Sequence, residues 1–223
     1  MKWDMKKHLF AFAMILVAAA AAIYFSPLLP DPVPSHFNVE GAPDKWSPKS
    51  EVILVGVGAP AAIFVILTFI PLIDPFWRRI QGKYDLFLIL RDIAVGAVVY
   101  FTVVTYFSAM SGSYASTMTG LGFGLTFMFL GNYLPKLPRN FFFGIRSPWT
   151  LASEEVWKRT HRVSGVLFVF AGVVIAVLAF LPLPLHIVLL SVLLPLVLFC
   201  AIVYPYTLYR KLERKPRERL PQL

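Results

Sequence analysis

The chain has 223 residues, of which 58% are hydrophobic and only 15% charged, and its mean hydropathy is +0.70. Soluble domains carry about 25% charged residues, so this composition excludes intrinsic disorder and argues against a soluble globule. The net charge of +9, from 21 Lys and Arg against 12 Asp and Glu, would point to nucleic acid only on a soluble basic surface.

Apolar runs of near-membrane length recur along the chain. The expected fold is all-α: a polytopic membrane protein with six transmembrane helices, each needing about 20 residues to span the hydrocarbon. A β-barrel would instead show short alternating segments. The expected spans are 9–29, 52–73, 93–110, 113–134, 163–183 and 185–206. The first follows Lys6 and Lys7 and ends in an Ala-rich run, as a signal peptide does, but it is longer than a usual signal core. It is expected to be retained. Gly120, Gly122 and Gly124 make span four the most glycine-rich and allow close helix approach. Pro60, Pro195 and Pro205 are expected to kink their spans. Arg91 and Asp92 read as charges at a span boundary. The single cysteine, Cys200, lies in an apolar run and can form no intrachain disulfide.

Orientation follows from the basic residues. Nineteen of the 21 fall in the N-terminus, the span two–three loop, the span four–five loop and the C-terminal tail, whereas only Lys45 and Lys49 fall on the other side. By the positive-inside rule both termini are cytoplasmic and 30–49 is exported. The same placement assigns the excess charge to lipid headgroups rather than nucleic acid. Three units are expected: 1–75, a helix–loop–helix with the exported loop; 76–112, a cytoplasmic loop and the third span; and 113–223, with a cytoplasmic loop at 135–162.

Two polar segments carry the remaining information. In the exported loop, Pro30, Pro32 and Pro34 favour an extended, polyproline-like course. Ser47 before Pro48 is expected to cap span two, with Glu51 in its first turn. His36, Phe37, Asn38, Asp44 and Trp46 exceed what capping needs and form a candidate recognition surface. One histidine among scattered carboxylates is no specific metal pattern, so neither metal nor cofactor is expected.

In the cytoplasmic loop, Ser147-Pro148 is an N-cap and N1 pair. Glu154/Lys158 and Glu155/Arg159 are favourable i,i+4 pairs. Trp149, Ala152, Val156 and Thr160 share a stripe, which predicts a short amphipathic surface helix turning into span five near Arg162. Glu154 and His161 share a helix face, but the i,i+4 histidine pair of a zinc helix is absent, as are a nucleophile elbow and a phosphate loop. The reading is therefore non-enzymatic. Transport finds little support because the spans hold almost no ionisable groups at mid-depth.

The cytoplasmic segment carries Gly131-Asn132, Asn140, Phe143-Gly144-Ile145-Arg146, Ser147-Pro148-Trp149-Thr150-Leu151, Glu154, Trp157 and Thr160-His161-Arg162. It resembles the signature of the SdpI-type immunity family, with Ser147 where the family usually has threonine. The exported segment, with His36-Phe37-Asn38, Asp44 and Trp46, is similar to the small N-terminal domain of the family's longer members. The resemblance implies a bacterial inner-membrane protein that protects against a secreted peptide toxin and can signal by holding a cytoplasmic repressor at the membrane. Its implied partners are membrane lipids, a peptide toxin outside and a regulator inside, and it brings no catalytic residues. A transporter or a membrane-embedded enzyme acting on a lipid or peptide is the alternative. A polar cavity at mid-depth would favour that alternative, and polarity confined to the two loops would favour immunity.

Overall fold

The computed structural model describes residues 4–37, 43–111, 115–181 and 183–213. Its helices are α1 (Leu9–Phe25), α2 (Lys49–Phe69), the single turn α3 (Trp77–Ile80), α4 (Tyr84–Ser111), α5 (Ala115–Tyr133), the short α6 (Pro148–Ala152), α7 (Glu154–Leu178), α8 (Leu185–Leu198) and α9 (Tyr204–Glu213). A helix thus occupies the place of each expected span. Among the described residues, five helical stretches are long and apolar enough to cross a membrane: Met5–Phe25, Lys49–Ile73, Trp77–Met110, Glu154–Leu178 and Ile187–Glu213. The glycine- and threonine-rich α5 is outside that set. Large apolar side chains such as Leu16, Ile23, Leu54 and Phe170 point outward, the arrangement of a bundle whose solvent is hydrocarbon. The protein is a multi-pass membrane protein.

Helix α4 is the hub, packing against α1, α2 and α5, while α5 pairs closely with α7. The α5–α7 seam is glycine against glycine. A Cβ at Gly124 would lie 2.7 Å from the Gly172 carbonyl oxygen, and one at Gly131 would lie 2.7 Å from that of Gly165. Only glycine permits this approach, and such small-residue seams hold helices together in lipid, where burial of apolar surface gives little drive. Gly124, expected to allow close approach, is therefore used within the chain.

Pro195 lies inside α8, and a π-helical stretch, Phe199–Val203, joins α8 to α9. Proline cannot donate to the helical ladder; the carbonyl that Pro205 leaves open, that of Ala201, falls within the π stretch, and local π geometry is one way a chain accommodates such a gap.

The structure corrects four local expectations. The loop between α1 and α2, expected to be exported, is a β-hairpin rather than a polyproline run: β1 (Val33–Phe37) pairs antiparallel with β2 (Pro43–Ser47), Val33 opposite Ser47 and Pro34 opposite Trp46, with irregular register at His36. A proline-bearing edge strand cannot complete its ladder, which accounts for the irregularity. Ser47 does not cap α2. The N-cap is Pro48, without a side-chain bond, and the Ser47 hydroxyl donates to Ser35 Oγ at 3.0 Å. The amphipathic segment is no separate surface helix turning near Arg162. Ser153 ends α6 and at once caps α7, which runs unbroken from Glu154 through Arg162 to Leu178.

Arg91 is not a boundary charge either. It is fully buried, about 10 Å along α4 from the helix start. Its guanidinium reaches His8 Nδ1 at 2.7 Å, the Lys7 carbonyl at 2.9 Å and Thr68 Oγ1 at 3.2 Å, and it pairs with Asp92 Oδ1 at 2.7 Å. It also lies 4.9 Å over the Phe64 ring. A buried charge is tolerated only when paired and hydrogen-bonded, and Arg91 meets that condition by tying α1, α2 and α4 together at one end of the bundle. Tyr84 reinforces the tie by donating to the Thr68 carbonyl at 2.6 Å.

Candidate functional site: a locked loop and an exposed hairpin

The segment between α5 and α7 holds most of the candidate residues, and its hydrogen bonds are nearly all internal. Asn140 is fully buried. Its Nδ2 donates to the carbonyls of Pro138 and Phe143, and its Oδ1 accepts from the N–H groups of Phe142 and Phe143. One side chain thereby closes the turn and satisfies backbone groups that would be costly to bury alone. The Phe143 ring then packs edge-on against Phe87 of α4, 5.1 Å between centroids.

Gly144 has φ +91°, a backbone conformation that side chains other than glycine's rarely adopt, and a Cβ there would sit 2.4 Å from His161 Nε2. The next residue, Ile145, donates its N–H to that same Nε2 at 3.0 Å. His161 Nδ1 lies 2.9 Å from the Trp157 carbonyl, where it can only donate. The two bonds fix a neutral ring with the proton on Nδ1. The imidazole is fully buried and stacks on Trp157 at 4.0 Å. The Trp157 indole N–H donates in turn to the Leu137 carbonyl at 2.9 Å. His161 therefore has both nitrogens committed, and its spacing from Glu154 reflects no catalytic pair.

Ser147 caps α6 as expected, forming a reciprocal box with Thr150. Thr150 Oγ1 also donates to the Ile145 carbonyl at 2.9 Å. Arg146 is exposed, donating to the Phe141 carbonyl at 2.8 Å. Trp149 is half-buried against Tyr206 of α9. Glu154 pairs with Arg139 at 3.4 Å and with Lys158 at 3.6 Å. Asn132 and Arg162 are exposed.

Asp74, absent from the expected site, joins this loop to the span two–three connection. Its Oδ1 accepts from the Phe76 N–H at 2.7 Å and its Oδ2 from the Phe141 N–H at 2.8 Å. The Asp74-Pro75 dipeptide carried a local turn signal, but the reach to residue 141 carried none.

At the opposite end of the bundle the hairpin is open. His36 Nδ1 meets Asp44 Oδ1 at 2.6 Å across the strands, both side chains largely exposed, and Trp46 is 51% exposed. Phe37 closes β1. Asn38 lies outside the described residues. The base is anchored: Asp31 accepts from the Lys49 N–H at 3.1 Å, and Lys49 Nζ donates to the Ser26 carbonyl at 3.1 Å. A cleft of about 380 Å³ separates the hairpin from α2 and α4, and its walls include His36, Lys45, Glu51, Thr102 and Tyr106. Among the described residues, no three His, Cys, Asp or Glu side chains converge as a metal site would require.

Residues 136–207 match the SdpI/YfhL protein family, and residues 13–58 match a domain of unknown function, DUF1648. Over 217 residues, 94% of this chain and 99% of the relative, the sequence is 26% identical to the immunity protein SdpI of Bacillus subtilis (strain 168). No solved structure matches. The first match starts within the locked loop and takes in α6, α7 and α8, and the second covers most of α1, the hairpin and the start of α2. These matches bear out, for this multi-pass membrane chain, the resemblance to the SdpI-type immunity family carried by its signature residues.

Proposed function

We propose that the protein is a non-enzymatic immunity protein of a bacterial inner membrane, protecting its bearer against a secreted peptide toxin. The observation that carries this reading is the similarity to an immunity protein along nearly the whole chain. In this reading α5 is span four, which brings the number of spans to six, and both termini are cytoplasmic, as the distribution of basic residues favours. The three units at 1–75, 76–112 and 113–223 divide the labour. The hairpin and its cleft face outward, where Trp46 supplies an aromatic anchor and His36, Asp44 and Glu51 supply polar contacts to a peptide. The locked loop faces the cytoplasm, where exposed Arg146, Arg162 and Glu154 and half-buried Trp149 offer a rigid surface to a regulator such as a repressor. The test is a toxin challenge of a sensitive host with and without the protein. Survival only with it supports the reading, and equal killing at verified membrane abundance overturns it.

The transporter or membrane-embedded enzyme reading draws on one observation, the buried Arg91 cluster beside a cleft of about 480 Å³ between α1, α4 and α5. That cleft is walled mainly by apolar side chains, including Phe10, Ile93, Leu125 and Phe129, with Asp92 at its edge. Arg91 is fully committed to fixed partners, so the cluster supports helix tying better than passage of a solute. An Asp92→Asn variant that protects as well as wild type supports the immunity reading.

A further inference from the structure

Beside the locked loop lies a third cleft, of about 360 Å³, built from three separate parts of the chain. Arg79 and Lys83 come from the span two–three connection, Lys136 and Arg139 from the residues after α5, and Lys158 and Arg162 from the first turns of α7. Glu154 is the one carboxylate in its wall, and it is shared between Arg139 and Lys158. Arg79, Lys83, Lys136 and Arg162 make no ion pair among the described residues. We infer that this cleft is a phosphate-group site, and that its occupant is the headgroup of an anionic membrane lipid.

Three features distinguish the cleft from an ordinary solvated basic surface. It is concave, and cations converging on a concavity repel one another unless an anion sits among them. One wall is built rather than loose. Arg139 is largely withdrawn from solvent and lies 5.2 Å over the Phe76 ring, while its Nη1 donates to the Leu151 carbonyl at 3.1 Å. Its Nε makes no hydrogen bond and faces the Glu154 carboxylate at 3.4 Å as an ion pair, so the guanidinium is held in place by fixed neighbours. Finally, the floor is apolar, from Pro135, Leu137 and Pro138, and Lys136 Nζ is held 4.4 Å from the Tyr133 ring. Guanidinium forks and ammonium groups match phosphate oxygens.

The cleft's position selects the lipid over a soluble phosphate. It opens where α5 ends and α7 begins, and the rings of Phe76 and Tyr133 lie against its Arg139 and Lys136. Aromatic side chains beside basic ones mark headgroup depth, and basic pockets between membrane helices are suited to anionic headgroups. An occupant would bridge the span two–three connection, the locked loop and α7, fixing the loop's orientation to the membrane plane. The assignment does not depend on the toxin reading, because a lipid site can be present whether or not the protein confers protection.

Native mass spectrometry of the detergent-purified full chain, offered equal amounts of phosphatidylglycerol and phosphatidylcholine, tests the assignment. Wild type should retain phosphatidylglycerol selectively. At about fivefold per surface cation, the Arg79→Gln/Lys83→Gln/Arg162→Gln variant should lose about a hundredfold in that retention. A control with the same net charge, Arg78→Gln/Arg210→Gln/Lys211→Gln, should keep it. The single Arg162→Gln variant, on an exposed helix face, should lose about fivefold and serves if the triple variant does not fold. Displacement of the lipid by soluble glycerol phosphate would keep the phosphate site and overturn the lipid as its occupant. Equal retention of phosphatidylcholine, equal loss in the charge-matched control, or capture of an acidic peptide in preference to both lipids would overturn the proposal.

Discussion

The loop between α5 and α7 and the hairpin between α1 and α2 are both polar interruptions in an apolar chain, yet they are built in opposite ways. In the loop, Asn140, Thr150, Trp157 and His161 are fully buried and spend their polar atoms on neighbouring backbone. In the hairpin, His36, Asp44 and Trp46 are exposed, and anchoring lies at its base, through Asp31, Lys49 and the fully buried Val33. Candidate residues in a sequence motif can therefore be of two kinds. Those of the loop core set a shape, and those of the hairpin present chemistry. Substitutions in the first should lower stability, and substitutions in the second should alter recognition at unchanged stability.

The largest expected effect is at the hinge of the locked loop. His161→Ala removes the acceptor of the Ile145 N–H and the stack on Trp157, and leaves a cavity. The expected cost is about 3 kcal/mol or more, read as a lower melting temperature in detergent. An unchanged melting temperature would remove the distinction between the two regions. Nearly as large is the effect at the seam that holds the loop's two flanking helices. Gly131→Val forces a side chain against the Gly165 carbonyl, and overpacking of this kind costs about 1–3 kcal/mol. Asn140→Ala strands two buried N–H groups, at about 1–3 kcal/mol each before relaxation. A smaller effect is expected at Arg146 and Trp149. Replacing either with alanine should reduce function more than Arg217→Ala in the tail, and equal effects at equal abundance would count against a specific role for the loop surface. Smallest in stability is Trp46→Ala, expected within about 0.5 kcal/mol of wild type.

The sides assigned to the two regions are open to a chemical test. In a Cys200→Ala background, a cysteine at Ser35 should react with an impermeant reagent in intact cells, while one at Arg146 should react only after the cells are opened. The reverse pattern would exchange the roles of the two regions.

What the sequence made legible was local. The Ser147-Pro148 cap, the Glu154/Lys158 and Glu155/Arg159 pairs and the approximate helix positions all follow from residues within a few places of one another, and all are present. What it concealed was contact across distance. His8 and Arg91 are 83 residues apart, and each alone looks like a charge at the end of a span. Gly131 and Gly165 are each unremarkable until their helices meet. The hairpin was obscured by Pro34 and Pro43, which lower strand propensity locally and are tolerated because a two-stranded ribbon consists only of edges. Helix α5 shows the converse: its glycines and threonines dilute its hydropathy, yet Gly124 and Gly131 permit the close seam with α7. In the candidate site, residue types pointed to the right segments. Only the geometry separated His161, with both nitrogens committed, from His36, paired at an exposed surface.

The most direct test of the account is survival of a toxin-sensitive host carrying wild type or the His36→Ala/Trp46→Ala variant at matched membrane abundance, with melting temperatures measured in parallel. The account predicts that wild type protects, and that the variant loses protection while its melting temperature stays within a few degrees of wild type. A variant that protects as well as wild type, or one that fails only because it is unfolded, would contradict the assignment of recognition to the exposed hairpin.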